Sequence, residues 1–128
     1  MLALYHDAAE IFTGDMPTPV KYFNEKMRRT YGDVEAMAQE KLVQTLPEEL
    51  QAHYKPLICS AEEDPAWPFV KAADTLSAYL KCRQELAAGN REFAEAFSSL
   101  KARLEQLGMP EVDMFLADYV AEFFLVPG

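Results

Sequence analysis

The sequence has few basic residues and no long apolar run, and each shortage excludes a class of protein. Lys and Arg number 12 against 21 Asp and Glu, which gives a net charge of −9. Because the basic residues do not cluster, the chain repels phosphate backbones, and we expect no nucleic-acid polymer as a partner. No apolar stretch approaches the roughly 20 residues of a membrane-spanning helix, so we expect no membrane partner either.

Cysteine is also scarce, with Cys59 and Cys82 in different segments and without metal-ligand spacing. Two such residues favour free thiols in a reducing compartment over a disulfide. The first residues show no basic segment followed by an apolar run and a cleavage site. We therefore predict a soluble, cytoplasmic protein, and its 128 residues, half of them hydrophobic, suit a single domain over residues 1–128.

Apolar residues recur at helical rather than alternating spacing, and no β-branched run bounded by turns indicates a strand, so the predicted fold class is all-α. Gly14, Gly32, Gly89 and Gly108 are predicted helix ends. "GDMPTP" and "SAEEDPAWP" are predicted loops, because prolines spaced this closely interrupt helices. The predicted helices cover residues 1–13, 19–31, 34–46, 47–58, 69–88, 91–107 and 110–125.

One stretch near the start, "YHDAAEIFTGD", concentrates side chains that can bind a metal. His6 and Asp7 offer an imidazole and a carboxylate, which suit Mn, Fe, Co or Zn, but two ligands rarely hold an ion. Asp74 is the best candidate for a third metal ligand. It borders a predicted apolar stripe of the core, where the charge of a carboxylate is costly to bury unless a metal or hydrogen-bond donors compensate it. The alternative is an ordinary acid at the edge of that stripe. The predicted stripe consists of Phe69, Ala73, Leu76 and Leu80.

Three further residues are candidates for catalysis or substrate binding. Glu10 follows Asp7 by three positions, so it shares a side of the predicted first helix and is a candidate for proton transfer. Asp15, in the proline-rich loop, is a second candidate. Lys21 is a candidate contact for an anion such as the substrate. The alternatives are a solvated acid for Glu10, turn chemistry for Asp15 and an exposed lysine for Lys21.

Other catalytic patterns are missing from the sequence. There is no Gly-rich phosphate loop, no G-x-S-x-G elbow and no H-E-x-x-H helix. His53 has no acid or cysteine pattern around it, so we expect an ordinary surface or half-buried histidine. Several aromatic residues at helical spacing are expected in the core or at a subunit contact. These are Tyr79, Phe115, Tyr119, Phe123 and Phe124.

Two long blocks, "YHDAAEIFTGDMPTPVKYFN" and "VKAADTLSAYLKCRQELAAGNREF", closely resemble the bacterial 5′-deoxynucleotidases of the HD-domain phosphohydrolase superfamily. The resemblance implies an all-helical, HD-domain-like bundle and a homodimer. It also implies hydrolysis of deoxyribonucleoside 5′-monophosphates with a divalent metal ion, cobalt or manganese first. By the same resemblance, His6, Asp7 and Asp74 are metal ligands, and Glu10 and Asp15 serve proton transfer and substrate positioning.

The resemblance further implies that the chain corresponds to the C-terminal portion of this family, an N-terminally truncated form. The family's first helices carry another metal-binding histidine, preceded by an Arg and a Trp that meet the substrate, and neither His53 nor Trp67 matches them. Two other functions therefore stay open. One is a non-catalytic helical oligomer or interaction module that keeps the fold, and the other is an HD-type phosphodiesterase or triphosphohydrolase.

Overall fold

The structure, a computed structural model, describes residues 1–121. Within that range the chain forms α-helices and short helical turns and contains no strand, which confirms the all-α prediction. The α-helices are α1 (Leu2–Tyr5), α2 (Glu10–Thr13), α3 (Thr18–Lys21), α4 (Glu25–Gln44), α5 (Glu48–Cys59), α6 (Trp67–Ala87), α7 (Ala94–Leu107) and α8 (Pro110–Phe115). None of the helices in the described range is long and apolar enough to cross a membrane.

The chain is organised as two compact units, the first spanning Met1–Trp67 and the second beginning at Pro68. In the first unit, α5 packs along α4, α1 packs on α5, and the short helices α2 and α3 pack on α4. The α4 helix buries Tyr31, Ala38 and Val43 on one side. It is therefore the scaffold on which the candidate site residues of this unit are placed.

The course of α4 differs from the predicted one at Gly32. The sequence predicted two helices separated at Gly32, whereas a single helix passes through that residue. A glycine in a helix interior costs only about 1 kcal/mol relative to alanine, and the apolar face buried on both sides of Gly32 outweighs this cost. The helix begins after Asn24, which has an extended backbone. The side-chain oxygen of Asn24 caps the helix by accepting a hydrogen bond from the Met27 N–H at 2.7 Å.

The Asn24 cap predicts a measurable contribution to stability. Replacing Asn24 with alanine leaves an N–H of the first turn of α4 without its acceptor, and we expect the free energy of unfolding to fall by about 1 kcal/mol. Asn24→Asp is the matched control, because it retains a side-chain oxygen at the same place. Urea unfolding of the two variants measures the difference. Equal losses in both would show that the cap does not stabilise α4.

The predicted first helix is also interrupted. Helix α1 ends at Tyr5 and α2 begins at Glu10, with a turn between them, whereas the sequence predicted one helix to Thr13. The ring of His6 bonds to the Ala3 carbonyl, which is the acceptor that a continuous helix offers to the N–H of Asp7. Side-chain bonds that compete for backbone acceptors in this way favour breaks in short helices. Gly14 ends α2 with a positive φ of 69°, as predicted.

The second unit is built around α6, which the proline at its second position starts as predicted. Its buried cluster joins residues of α6, α7, α8 and the turn Leu116–Val120 that follows α8. Phe97 stacks on Tyr79 with ring centroids 5.2 Å apart. The cluster consists of Ala72, Tyr79, Leu104, Val112 and Val120. The predicted stripe was right for Leu76 and Leu80, which pack against this cluster, but wrong for Phe69 and Ala73, which are exposed.

The last described segment is helical but not uniformly α-helical. Gly108 separates α7 from α8 in the left-handed conformation, with φ of 59°, and so confirms the predicted break. After α8 the chain forms a π-helical turn, Leu116–Val120. Of the aromatic residues predicted for core or subunit contact, Tyr79 is buried, whereas Phe115 and Tyr119 are exposed. Phe123 and Phe124 lie outside the described residues.

Candidate functional site

His6 and Asp7 lie in the turn between α1 and α2 and bring two potential ligand atoms together. The Nε2 atom of His6 is 3.1 Å from Oδ2 of Asp7, and the two side chains are 21% and 57% exposed. The other ring nitrogen of His6, Nδ1, lies 2.6 Å from the carbonyl oxygen of Ala3. A carbonyl can only accept, so Nδ1 carries the proton and donates it. In the neutral ring, the lone pair is then on Nε2, the atom beside Asp7.

This arrangement fits a divalent metal ion. A neutral imidazole lone pair and a carboxylate oxygen repel each other at this distance, so a positive charge, either on the ring or between the two atoms, stabilises the pair. Ligand atoms bound to one ion at about 2.1 Å lie about 3.0–3.4 Å apart when they occupy neighbouring coordination positions. The observed separation falls in that range. The bond from Nδ1 to a backbone carbonyl is the support that metal-binding histidines usually have.

Glu10, at the start of α2, lies in the electric field of this pair. Burial raises the pKa of the Glu10 carboxyl, and the negative charges of Asp7 and Asp15 raise it further. The positive charges of Lys21 and His6 act in the opposite direction without cancelling the shift. The first unit therefore brings Glu10 together with the other site residues predicted in this half of the chain, although the helix that was expected to align them is interrupted.

Lys21, at the end of α3, is neither exposed nor unpartnered. Its side chain is 25% exposed, its Nζ atom is 3.3 Å from Oε1 of Glu35, and it lies 4.8 Å from the centroid of the Tyr31 ring. Burial lowers the pKa of Lys21, but the interactions with Glu35 and then with Tyr31 and Tyr22 outweigh it, so the net shift is upward. The alternative reading of Lys21 as an ordinary exposed lysine was therefore wrong.

A surface pocket of about 160 Å³ opens beside this ion pair in the first unit. Whole small-molecule ligands occupy pockets of about 300–1,000 Å³, so this one has room for a single polar group rather than a nucleotide. The pocket makes one side of the Lys21–Glu35 pair accessible. It is lined by Lys21, Tyr22, Arg28, Tyr31, Gly32 and Glu35.

The remaining predicted residues have clear positions in the described chain. Asp15 is exposed in the non-helical segment after Gly14. Asp74 lies in α6, in the second unit, and its side chain is exposed. Its role as a third metal ligand stays a prediction. His53 is exposed on α5 with its ring against the edge of Tyr54, as expected of an ordinary surface histidine.

Sequence reasoning missed the groups that support the candidate residues. The Ala3 carbonyl, which orients His6, is a backbone group, so the identity of residue 3 does not reveal it. Only its position three residues before His6 could have suggested the contact. Tyr31 and Glu35 are spaced by four residues on α4, so they share one side of that helix. That spacing was visible in the sequence, but the predicted helix break at Gly32 separated the two residues.

The shifted pKa of Glu10 predicts an effect on stability in chelator-treated protein. A carboxyl whose pKa is raised by folding stabilises the fold at low pH, and this contribution is lost as the pH rises through the folded-state pKa, above the ordinary 4.5. Glutamine resembles the protonated form at every pH. We therefore expect Glu10→Gln to raise the free energy of unfolding near neutral pH, with the difference vanishing below about pH 4.

Glu25→Gln is the control for this prediction, because its sign is opposite. The hydrogen bond from Arg28 lowers the pKa of Glu25, so its contribution is present at neutral pH and lost on acidification. Thermal unfolding across the pH range measures both variants. If Glu10→Gln lowers stability near neutral pH, as Glu25→Gln should, the proposed environment of Glu10 is wrong.

Comparison with known proteins agrees with the resemblance. A family model described as "5'-deoxynucleotidase YfbR-like" matches residues 1–123. The chain is 51% identical to the 5'-deoxynucleotidase YfbR of Escherichia coli O127:H6 (strain E2348/69 / EPEC) over 126 residues, and equally so to that of Escherichia coli O1:K1 / APEC. It is 50% identical to the corresponding protein of Escherichia coli strain ATCC 8739.

These alignments cover nearly all of the chain but only part of each relative. They include 98% of this chain and 63% of the relative's length in all three cases. The chain thus spans somewhat less than two thirds of the curated relatives that it matches. Because the family model covers far more than half of the sequence, the assignment does not depend on a single motif, and the chain belongs to the YfbR-like 5'-deoxynucleotidase family.

Proposed function

We propose that the protein is a metal-dependent phosphohydrolase that converts deoxyribonucleoside 5′-monophosphates to deoxynucleoside and phosphate. The observation that carries this proposal is the His6–Asp7 pair, whose Nε2 and Oδ2 atoms lie 3.1 Å apart beside an oriented imidazole. Membership of a family described by 5′-deoxynucleotidase activity supports the choice of substrate. It is the same activity that the names of the relatives state.

His6 and Asp7 are the residues that would hold the metal, for which cobalt or manganese is the first choice. An imidazole and a carboxylate suit both ions. When bound, such an ion lowers the pKa of water and screens the negative charge of the phosphate. The Ala3 carbonyl keeps the His6 ring in the tautomer that leaves Nε2 available. Asp74 as the third ligand is part of the same proposal and rests on the sequence resemblance.

Proton transfer and substrate positioning are assigned to Glu10 and Asp15. Burial and the neighbouring carboxylates raise the pKa of Glu10, which brings it closer to the neutral range where a carboxyl can hold and release a proton. Asp15 is exposed, and its charge acts on Glu10. An acid at this place can protonate the 5′-oxygen as it leaves the phosphorus. A homodimer and a cytoplasmic location complete the proposal, both inferred from the sequence.

Phosphate release from the deoxyribonucleoside 5′-monophosphates, with cobalt or manganese added, tests the proposal. The matching ribonucleoside 5′-monophosphates, the 3′-monophosphates, a phosphodiester and a deoxynucleoside triphosphate serve as comparison substrates. We expect release from the deoxyribose 5′-monophosphates alone and none after chelation. Cleavage of the diester or triphosphate instead would indicate another HD-type activity, and no release from any substrate would contradict the proposal.

One observation favours the second candidate, a non-catalytic helical oligomer. Large apolar side chains are strongly exposed on the short helices of the first unit and in the segment after them, among them Ile11, Phe12 and Phe23. Apolar residues exposed together are typical of interaction surfaces. Sedimentation velocity combined with the phosphate assay separates the candidates. A stable oligomer without activity supports this second function, whereas a fully active monomer excludes it.

A further inference from the structure

We propose that Glu35 is a positioning residue for the phosphohydrolase reaction. It holds the ammonium group of Lys21 near the acidic side chains of Glu10 and Asp15. The inference rests on the proposed function, because a positioning residue needs a reaction to support. It concerns residues of α3 and α4 that lie outside the metal-binding pair. Its basis is the arrangement of the groups around Lys21 in the first unit.

Lys21 is held by two residues of the same helix. Oε1 of Glu35 is 3.3 Å from Nζ of Lys21. The centroid of the Tyr31 ring lies 4.8 Å from the same Nζ atom, a distance that suits a cation–π contact. Tyr31 and Glu35 are four residues apart in α4, so both point from one side of that helix. A lysine side chain has four rotatable bonds and normally moves freely, and two contacts of this kind restrict it. Its half-buried position is consistent with that restriction.

The held ammonium group lies near the acidic residues of the candidate site. Helices α2 and α3 both pack on α4, which places Glu10 of α2 and Lys21 of α3 on the same scaffold. The positive charge of Lys21 acts on Glu10, against the negative charges of Asp7 and Asp15. Lys21 is thus the cation that α3 contributes to an otherwise acidic neighbourhood.

A cation at this place is useful for a phosphate ester substrate. Carboxylates repel a phosphate dianion, so a fixed ammonium group among them reduces the cost of bringing the substrate close. Glu35 is 42% exposed, and it lines the surface pocket together with Lys21. Without Glu35, only the contact with the Tyr31 ring remains, and the Lys21 side chain can rotate into solvent or onto a carboxylate of the site. Either movement removes the charge from its working position.

A double-mutant cycle tests whether Glu35 acts through Lys21. The variants are Glu35→Gln, Lys21→Met and the double substitution, assayed for phosphate release from a deoxyribonucleoside 5′-monophosphate with cobalt. We expect Glu35→Gln to lower kcat/KM about 10-fold, in the range usual for residues of one network. In the Lys21→Met background the same substitution should cost less than twofold. The unfolding midpoint of each variant shows that the fold is retained.

Glu40→Gln is the matched control. Glu40 lies on the same helix and pairs with Lys55 at 3.7 Å, so its substitution also removes a lysine partner, but away from Lys21. We expect it to leave kcat/KM unchanged, and Glu35→Asp, which keeps the charge, to recover part of the loss. Additive effects in the cycle, or full activity of Glu35→Gln, would overturn the inference. An inactive unsubstituted protein would instead refute the proposed function itself, so the two failures are distinguishable.

Discussion

Replacing His6 with glutamine is expected to abolish metal-dependent phosphate release. Glutamine keeps a polar side chain of similar reach but has no imidazole lone pair, so a metal loses the nitrogen ligand that lies 3.1 Å from the Asp7 carboxylate. Loss of groups that merely orient a ligand costs about 10–100-fold in metal affinity or activity, and loss of the ligand itself should cost at least about 100-fold. The measurements are kcat/KM and the affinity for cobalt by calorimetry.

His53→Gln is the matched control for this prediction. His53, the other histidine in the sequence, is exposed on α5, and the chemical change is identical. It should leave both metal affinity and activity unchanged. Because His6 is partly exposed and its Nδ1 bonds to a carbonyl only three residues away, its substitution should reduce stability only modestly. Equal loss of activity in the two variants, or full activity of His6→Gln, would show that His6 is not part of a metal site.

The second large effect is expected in the core of the second unit. Leu104 is 2% exposed, within the buried cluster of α6, α7, α8 and the turn that follows α8. Replacing it with alanine removes buried apolar surface and leaves a cavity, which costs about 2–5 kcal/mol in comparable cores. For a chain of this size we expect the unfolding midpoint to fall by about 10 °C. Differential scanning calorimetry measures the change.

Leu107→Ala is the control, since it is the same substitution one turn further along α7 at a residue that is 41% exposed. It should lower the unfolding midpoint by much less, because a large part of the deleted side chain stays in contact with water in the folded protein. If both substitutions destabilise the protein equally, the described core is wrong. If neither does, the second unit does not depend on this cluster for its stability.

Much of the fold was predictable from the spacing of apolar residues and from helix-end signals. Pro47 and Pro68 were placed correctly at helix starts, and Gly14 and Gly108 at helix ends. The prediction failed at Gly32, where the glycine has an ordinary helical backbone and the burial of Tyr31 keeps α4 continuous. A glycine in sequence signals conformational freedom, but only the packing decides whether that freedom is used.

The candidate site was predictable only where its members are close in sequence. His6 and Asp7 are adjacent, so any local structure keeps them near each other, and Glu10 follows within four residues. The partnership of Lys21 with Glu35 spans 14 positions and depends on how α3 packs against α4. No local pattern encodes such a contact. For the same reason, the resemblance to a family contributed Asp74, which spacing alone left undecided.

The most direct test of this account is to locate a cobalt ion in crystals of the protein by anomalous diffraction. The account predicts a peak at about 2.0–2.2 Å from both Nε2 of His6 and Oδ2 of Asp7, with the His6 Nδ1 still donating to the Ala3 carbonyl. The peak should disappear in His6→Gln crystals and persist in His53→Gln crystals. Strong cobalt binding elsewhere, with no peak between His6 and Asp7, would contradict the central claim.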